Sequence, residues 1–328
     1  MQALVYMGPK TLELQDRDDL RASGGDNLIR VDAVGICGSD MHAYLGHDDR
    51  RPAPLILGHE AAGLVLDGPM QGQRVTVNPL VTCGACTFCR QGRENICPSR
   101  QIISMPPRQG AFAQQLVMPT RNLVAVPDRV TIEHAALAEP LAVCWHAVRL
   151  GVRALFGPVG QARCLVQGGG AIGVGAALGL RAMGARDITI AEPNTLRHGV
   201  LNAVGSFSVC DPEDVCGAFD LIIDCVGISH TRRAASALAR AGGVIVHVGL
   251  GDSDAGLDTR RLTLQEITFI GTYTYTAQDF RDTAQGIFDG VFGPLDWIEQ
   301  RPLTDGADAF AQILAGQVAA PKVVLRPN

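Results

Sequence analysis

The 328 residues carry 33 acidic against 28 basic side chains, a net charge of −5 with no dense Lys/Arg run, which argues against nucleic acid or an anionic membrane as a partner. Apolar residues at 47%, 38 glycines and only 19% charged residues exclude a disordered chain, and the length suits two α/β cores better than one. The opening MQALVYMGPK alternates like a strand and shows no basic stretch leading into an apolar one, so no signal peptide and a soluble, cytoplasmic protein are expected.

The first part of the chain contains short alternating runs broken by Gly, Pro and Asp: LVYMG, NLIRVDAVGI, AAGLVL, QRVTVNP and FAQQLVM. That pattern predicts an antiparallel, partly barrel-like β domain. From Cys164 the chain reads strand (CLVQG), glycine turn, helix (AIGVGAALGLRAMGA), strand (DITIAE), helix, strand (FDLIIDC), helix (HTRRAASALARAG) and strand (GVIVHVG). Strict alternation implies βαβ units and a parallel sheet covered on both faces. The uncharged run from Cys164 to Leu180 holds six glycines and is shorter than the roughly 20 lipophilic residues of a membrane span. A strand-like ITFIGTYTY follows, and the tail mixes a helix (AQDFRDTAQGIFDG) with a closing strand (KVVLRP).

Four of the ten cysteines, Cys83, Cys86, Cys89 and Cys97, are spaced C-x2-C-x2-C-x7-C. In a chain of this size without a signal, such thiols favour metal ligation over disulfides. Four thiolates close a tetrahedral zinc site with no open position, which makes it structural. An iron–sulfur cluster is the rival, since Cys97-Pro98 echoes a ferredoxin ending. That ending, however, has about three residues before its last cysteine, where this chain has seven.

Gly168-Gly169-Gly170-Ala171-Ile172-Gly173 fits G-x-G-x-x-G between a strand and a helix, and Glu192 follows the last glycine by 19 residues. Gly168, Gly170, Ile172 and Gly173 then form the turn. Bare glycines let the backbone approach a pyrophosphate, and the helix amino terminus offers it unpaired N–H groups. A carboxylate at Glu192 accepts from ribose hydroxyls and repels a 2′-phosphate, which favours NAD over NADP.

Three more pieces carry donors: Gly35-Ile36-Cys37-Gly38-Ser39-Asp40-Met41-His42, Leu57-Gly58-His59-Glu60 and Leu137-Ala138-Glu139-Pro140-Leu141. A catalytic zinc needs about three protein ligands and one exchangeable position. Thiolate, imidazole and carboxylate supply them, but the pieces are too far apart for spacing to prove a site. Taken singly, the cysteine is equally a buried hydrophobe and the His-Glu pair a surface loop.

Together and in this order, the three pieces, the cysteine loop and the glycine turn resemble the zinc-dependent medium-chain dehydrogenase/reductase family, down to the closing Lys322-Val323-Val324-Leu325. The resemblance implies an α/β fold: a GroES-like β-barrel catalytic domain over 1–143 with both zinc sites, a Rossmann doubly wound parallel-sheet domain over 144–276, and a return to the first domain over 277–328. It implies two Zn2+ per chain, one catalytic and one structural, with NAD as cofactor and a homodimer or homotetramer. Cys37, His59 and Glu139 are the implied catalytic-zinc ligands, and Glu60 either ligates too or holds the metal's water. Ser39 takes the substrate hydroxyl proton, and the cofactor ribose and His42 pass it on. Arg197, Val248, Gly249, Leu250, Thr272 and Tyr273 are further implied cofactor contacts.

Glu139-Pro140-Leu141-Ala142-Val143, Val77-Asn78-Pro79 and His146-Ala147 are similar to the polyol branch of the family, with its sorbitol and L-idonate dehydrogenases. The implied reaction interconverts a secondary alcohol and a ketone on a polyol or sugar acid. The alternative is amino-alcohol oxidation of the L-threonine 3-dehydrogenase kind. Ala43 stands where sorbitol-type enzymes have a tyrosine, with Tyr44 one position later, and Tyr273-Thr274-Tyr275 lacks the arginine of their corresponding stretch. Arg50 or Arg51 is the candidate partner for a substrate carboxylate.

Overall fold

The computed structural model describes residues 1–328, which form two compact units. The first comprises Met1–Pro140, Thr276–Gly290 and Ile298–Asn328; the second comprises Leu141–Tyr275 and Val291–Trp297. No helix is long and apolar enough to cross a membrane.

The first unit is built on a seven-stranded sheet. Its main path runs Leu123–Ala125, Arg74–Val77, Glu60–Asp67, Asp26–Gly35, Lys322–Arg326, Ile298–Pro302, and Gln115–Pro119 pairs separately with Asp26–Gly35. The central strand Asp26–Gly35 buries Ile29 and Val31 while Arg30 between them is exposed, the period-two pattern of a strand with one apolar face. These side chains join Leu4, Val65, Val75, Phe112, Met118 and Phe310 in one core. Strand register sets Gly35 opposite Glu60 on one side and Val324 on the other. Lys322, two residues before Val324, projects from the same face as Val324.

The second unit holds a six-stranded parallel sheet in the order Ser208–Cys210, Asp187–Ala191, Arg163–Gln167, Phe219–Asp224, Ala239–His247, Thr268–Gly271. Chain order reverses beside Arg163–Gln167, which makes the carboxyl end of that strand the switch point where doubly wound sheets bind nucleotides. Cys164, Leu165 and Val166 are fully buried, as a strand covered on both faces requires. The helix Ala171–Ala182 comes next, and its small residues let it lie close: a Cβ on Gly175 would sit 2.5 Å from Cys144 Sγ. Of the run ITFIGTYTY only Thr268–Gly271 pairs as a strand, and the chain then turns through Thr274 at φ +46°. Residues 291–297, expected with the returning tail, belong to this unit. Phe292 meets Trp145 edge-on with centroids 5.9 Å apart, and its carbonyl accepts from Arg181 at 3.0 Å.

Close strand approach in the first unit depends on Gly63, where a Cβ would stand 1.9 Å from the Arg30 carbonyl oxygen. That backbone has no freedom to yield. Gly63→Ala should lower unfolding free energy by about 2–3 kcal/mol, measured by denaturant titration, through forced separation of the two central strands.

Candidate metal and nucleotide sites

The cysteine loop closes on itself. Cys83 Sγ lies 3.8 Å from Cys89 and 3.5 Å from Cys97, and Cys86 lies 3.5 Å from Cys89. A tetrahedron with metal–sulfur bonds of about 2.3 Å has edges of about 3.8 Å, so the four thiols already occupy the corners of a zinc cage. None of the ten cysteines is in a disulfide. Backbone N–H groups of Ala85 and Cys86, then the Cys97 thiol, draw Cys83 down to about 6, while burial and the neighbouring thiols push Cys89 up to about 12. One sulfur is ready to be a thiolate; four together need a cation.

The second cluster draws on distant segments. Cys37 caps the short helix Gly38–Tyr44, His59 immediately precedes the strand Glu60–Asp67, and Glu60 opens it. One ligand atom from each of these three converges within 4.8 Å of the others. Glu60 is fully buried: Oε1 accepts from Lys322 Nζ at 2.7 Å, and Oε2 has no hydrogen-bond partner. Burial pulls the Lys322 amine down, yet Glu60, Cys37 and Glu139 outweigh it and hold the amine charged. An orphaned carboxylate oxygen beside a thiol and an imidazole is a donor set that fits zinc.

His59 is oriented by Asp40. This fully buried carboxylate sits 3.4 Å from His59 Nδ1 and also accepts the N–H groups of Cys37 (3.0 Å) and Gly58 (3.2 Å). Ser104 Oγ is a further 3.4 Å neighbour of Nδ1. Nδ1 is thereby occupied and Nε2 is left to ligate. Burial opposes charge on His59, but Asp40 and then Cys37 raise its pKa well above the ordinary value. Burial likewise opposes Asp40, and His59 and Arg51 hold it below the usual carboxylate range.

The other expected site residues stand at differing distances from this cluster. Glu139, implied as a ligand by the family resemblance, is not among the converging atoms. Glu60, the other expected carboxylate, is among them, and Gly35 opposite leaves it room: a Cβ on Gly35 would stand 1.9 Å from Oε2. Glu139 is buried at the start of the helix Ala138–Ala154 and acts on this neighbourhood through its charge on Lys322. Ser39 Oγ is 3.4 Å from His59 Nε2, on the metal side. His42 stands in the same short helix, half-buried, and burial followed by His47 keeps its pKa low and its ring neutral. Tyr44 does not replace the missing tyrosine, since it is buried against Phe310 with centroids 5.2 Å apart. Arg51 does not face substrate either. Its side chain is 2% exposed and bonded to Asp48 and the Ser104 carbonyl, while Arg50 is paired to Asp48 at 2.7 Å.

In the second unit, Gly168 at φ +92° starts the glycine turn, and Gly173 is pinned because its Cβ would lie 1.7 Å from the Gly168 carbonyl oxygen. Gly170 caps the helix Ala171–Ala182 and has open space where a Cβ would go, a cradle for phosphate. Ile172 opens its carbonyl to the Cys144 thiol at 3.2 Å. Glu192 is buried and accepts from Gly169 N at 2.6 Å and Asn194 N at 2.8 Å, so it ties its own strand end to the turn. Arg197 lies 3.6 Å from it, with a buried Nε lacking a partner. Val248 and Gly249 N–H groups donate to the Asp224 carbonyl, Leu250 is exposed, and Thr272 donates from N and Oγ1 to the His247 carbonyl just ahead of Tyr273.

Two family models match: the alcohol dehydrogenase GroES-like domain over residues 23–128 and the zinc-binding dehydrogenase domain over residues 171–288. The chain is 31% identical over 300 residues to the L-idonate 5-dehydrogenase of Vitis vinifera, spanning 83% of this chain and 80% of that one. The chain belongs to the zinc-dependent medium-chain dehydrogenase/reductase family. It is an oxidoreductase. Another relative is the sorbitol dehydrogenase of Arabidopsis thaliana, 31% identical over 298 residues, 83% of this chain and 80% of that one. Among solved structures, acetophenone reductase from Geotrichum candidum in complex with NAD superposes with a TM-score of 0.88 at 25% identity, over 99% of this chain and 96% of that one.

Within this dehydrogenase, Lys322, Asp40 and Ser104 are the supports that sequence reasoning missed. Lys322 meets Glu60 across 262 residues, which only the returning strand reveals. Asp40 lay in plain view between Ser39 and His42. Gly35→Ala should drive the Glu60 carboxylate out of the cluster. Zinc quantitation after dialysis should then show about 10–100-fold weaker retention of one zinc per chain, with the four-thiolate zinc unaffected.

Proposed function

We propose that this dehydrogenase interconverts a secondary alcohol and a ketone on a polyol or sugar acid, with NAD as hydride carrier. The carrying observation is the convergence of Cys37, His59 and Glu60, with Ser39 Oγ 3.4 Å from His59 Nε2. Zinc held there supplies Lewis acidity that lowers the pKa of a substrate hydroxyl, and nicotinamide supplies the hydride acceptor. The chain's own groups do the rest. Cys37, His59 and Glu60 hold the metal, with Lys322 and Asp40 fixing the latter two. Ser39 accepts the hydroxyl proton, and the neutral His42 passes it toward solvent.

For the cofactor, Gly168–Gly170 and the helix start receive the pyrophosphate. Glu192, with Arg197 beside it, faces the adenosine ribose; a carboxylate there disfavours a 2′-phosphate and so supports NAD over NADP. The substrate class is supported by relatives named for L-idonate and sorbitol. Arg51 is buried on Asp48 and the Ser104 carbonyl, which leaves the half-exposed Arg50 as the candidate of that pair for a substrate carboxylate.

An NADH-production screen over hexitols, pentitols, aldonates and L-threonine tests this. Turnover of a polyol or aldonate at least tenfold above threonine is expected. Threonine as the preferred substrate would replace the proposal with amino-alcohol oxidation, and NADP preferred to NAD would overturn the assignment of Glu192.

A further inference from the structure

Arg51 is a guanidinium buried behind the metal cluster with no solvent role left to it. Its side chain is 2% exposed. Nε donates to the Ser104 carbonyl at 3.1 Å, Nη1 donates to Asp48, and its own N–H bonds to the Asp48 carbonyl at 3.0 Å. Ser104 is fully buried and sits at φ +68°, a left-handed conformation that a serine adopts only when its surroundings impose it. That conformation turns the Ser104 carbonyl to Arg51 and its hydroxyl to His59 Nδ1, 3.4 Å away. On the other flank of the same nitrogen stands Asp40, also 3.4 Å away and within the field of Arg51.

The geometry points to Arg51 as a positioning residue for the zinc site: through the Ser104 carbonyl and opposite Asp40 it locks the His59 ring so that Nε2 faces Cys37 and Glu60. A fork-shaped donor suits this because one planar cation bonds Ser104 and Asp48 together, which a lysine ammonium does less rigidly. Asp40 stands against the back of the imidazole, and Arg51, itself bonded to Asp48, lies within the field of Asp40 without being one of the metal-facing donors. Supports of this kind set how long a ligand stays on its ion.

This role presupposes zinc on Cys37, His59 and Glu60, and the four-thiolate zinc provides an internal control. Zinc-replete full-length protein is mixed with excess EDTA and release is followed with a colorimetric zinc indicator. Native protein should release two zincs per chain slowly. In Arg51→Met one zinc should leave at least tenfold faster, in step with loss of activity, while the other keeps its native rate. Arg51→Lys should fall between. Ser104→Ala, which keeps the backbone and removes only the hydroxyl, should accelerate the same zinc by a smaller factor, and it decides the matter if Arg51→Met does not fold. Native release of both zincs in these variants, or equal acceleration of both, overturns the positioning role. A native protein holding only one zinc per chain would instead overturn the zinc assignment on which it stands.

Discussion

A carboxylate sealed from water governs the first unit. Glu60 is fully buried, with one oxygen held by Lys322 and the other without any donor. Removing a charge from water costs several kcal/mol even after relaxation, and breaking a buried pair costs about 3–5 kcal/mol. Lys322 offsets half of the problem; a divalent cation shared with Cys37 and His59 would resolve the rest. Topology obeys that requirement. The chain must return after residue 297 so that Lys322–Arg326 lies beside Asp26–Gly35, and Gly35 must lack a side chain so that the carboxylate has space.

The same metal chemistry is used twice with opposite ends. Four sulfurs at tetrahedral spacing leave no position for anything else, so that loop stores stability. Cys37, His59 and Glu60 make three, which would leave a metal held there one exchangeable position. Asp40 and Ser104 each stand 3.4 Å from Nδ1, the His59 nitrogen turned away from the cluster. In the second unit the division of labour is similar. Glycines at 168, 170 and 173 shape the turn, while Glu192 ties its strand end to that turn and pairs with Arg197 at 3.6 Å.

Much of this was legible in the amino-acid order because it is local. The thiols of Cys83–Cys97 and the turn at 168–173 each lie within one short segment, and spacing encodes geometry there. The alternating strands and helices after Cys164 likewise announce a parallel sheet. What escaped is non-local. Whether Glu60 or Glu139 approaches Cys37 depends on Gly35 standing opposite Glu60 in the sheet, a register no motif displays. Arg51 read as a candidate partner for a substrate carboxylate, because its burial against Ser104, 53 residues away, leaves no mark on its neighbours in sequence. Residues 291–297 joined the second unit through Phe292, a contact with Trp145 that composition does not foretell.

The most direct test is anomalous diffraction at the zinc edge from crystals of the zinc-replete chain. Two peaks per chain are predicted: one at about 2.3 Å from all four sulfurs of Cys83, Cys86, Cys89 and Cys97, the other at about 2.0–2.3 Å from Cys37 Sγ, His59 Nε2 and a Glu60 oxygen. A single peak, or a second one remote from Cys37, His59 and Glu60, would contradict the account.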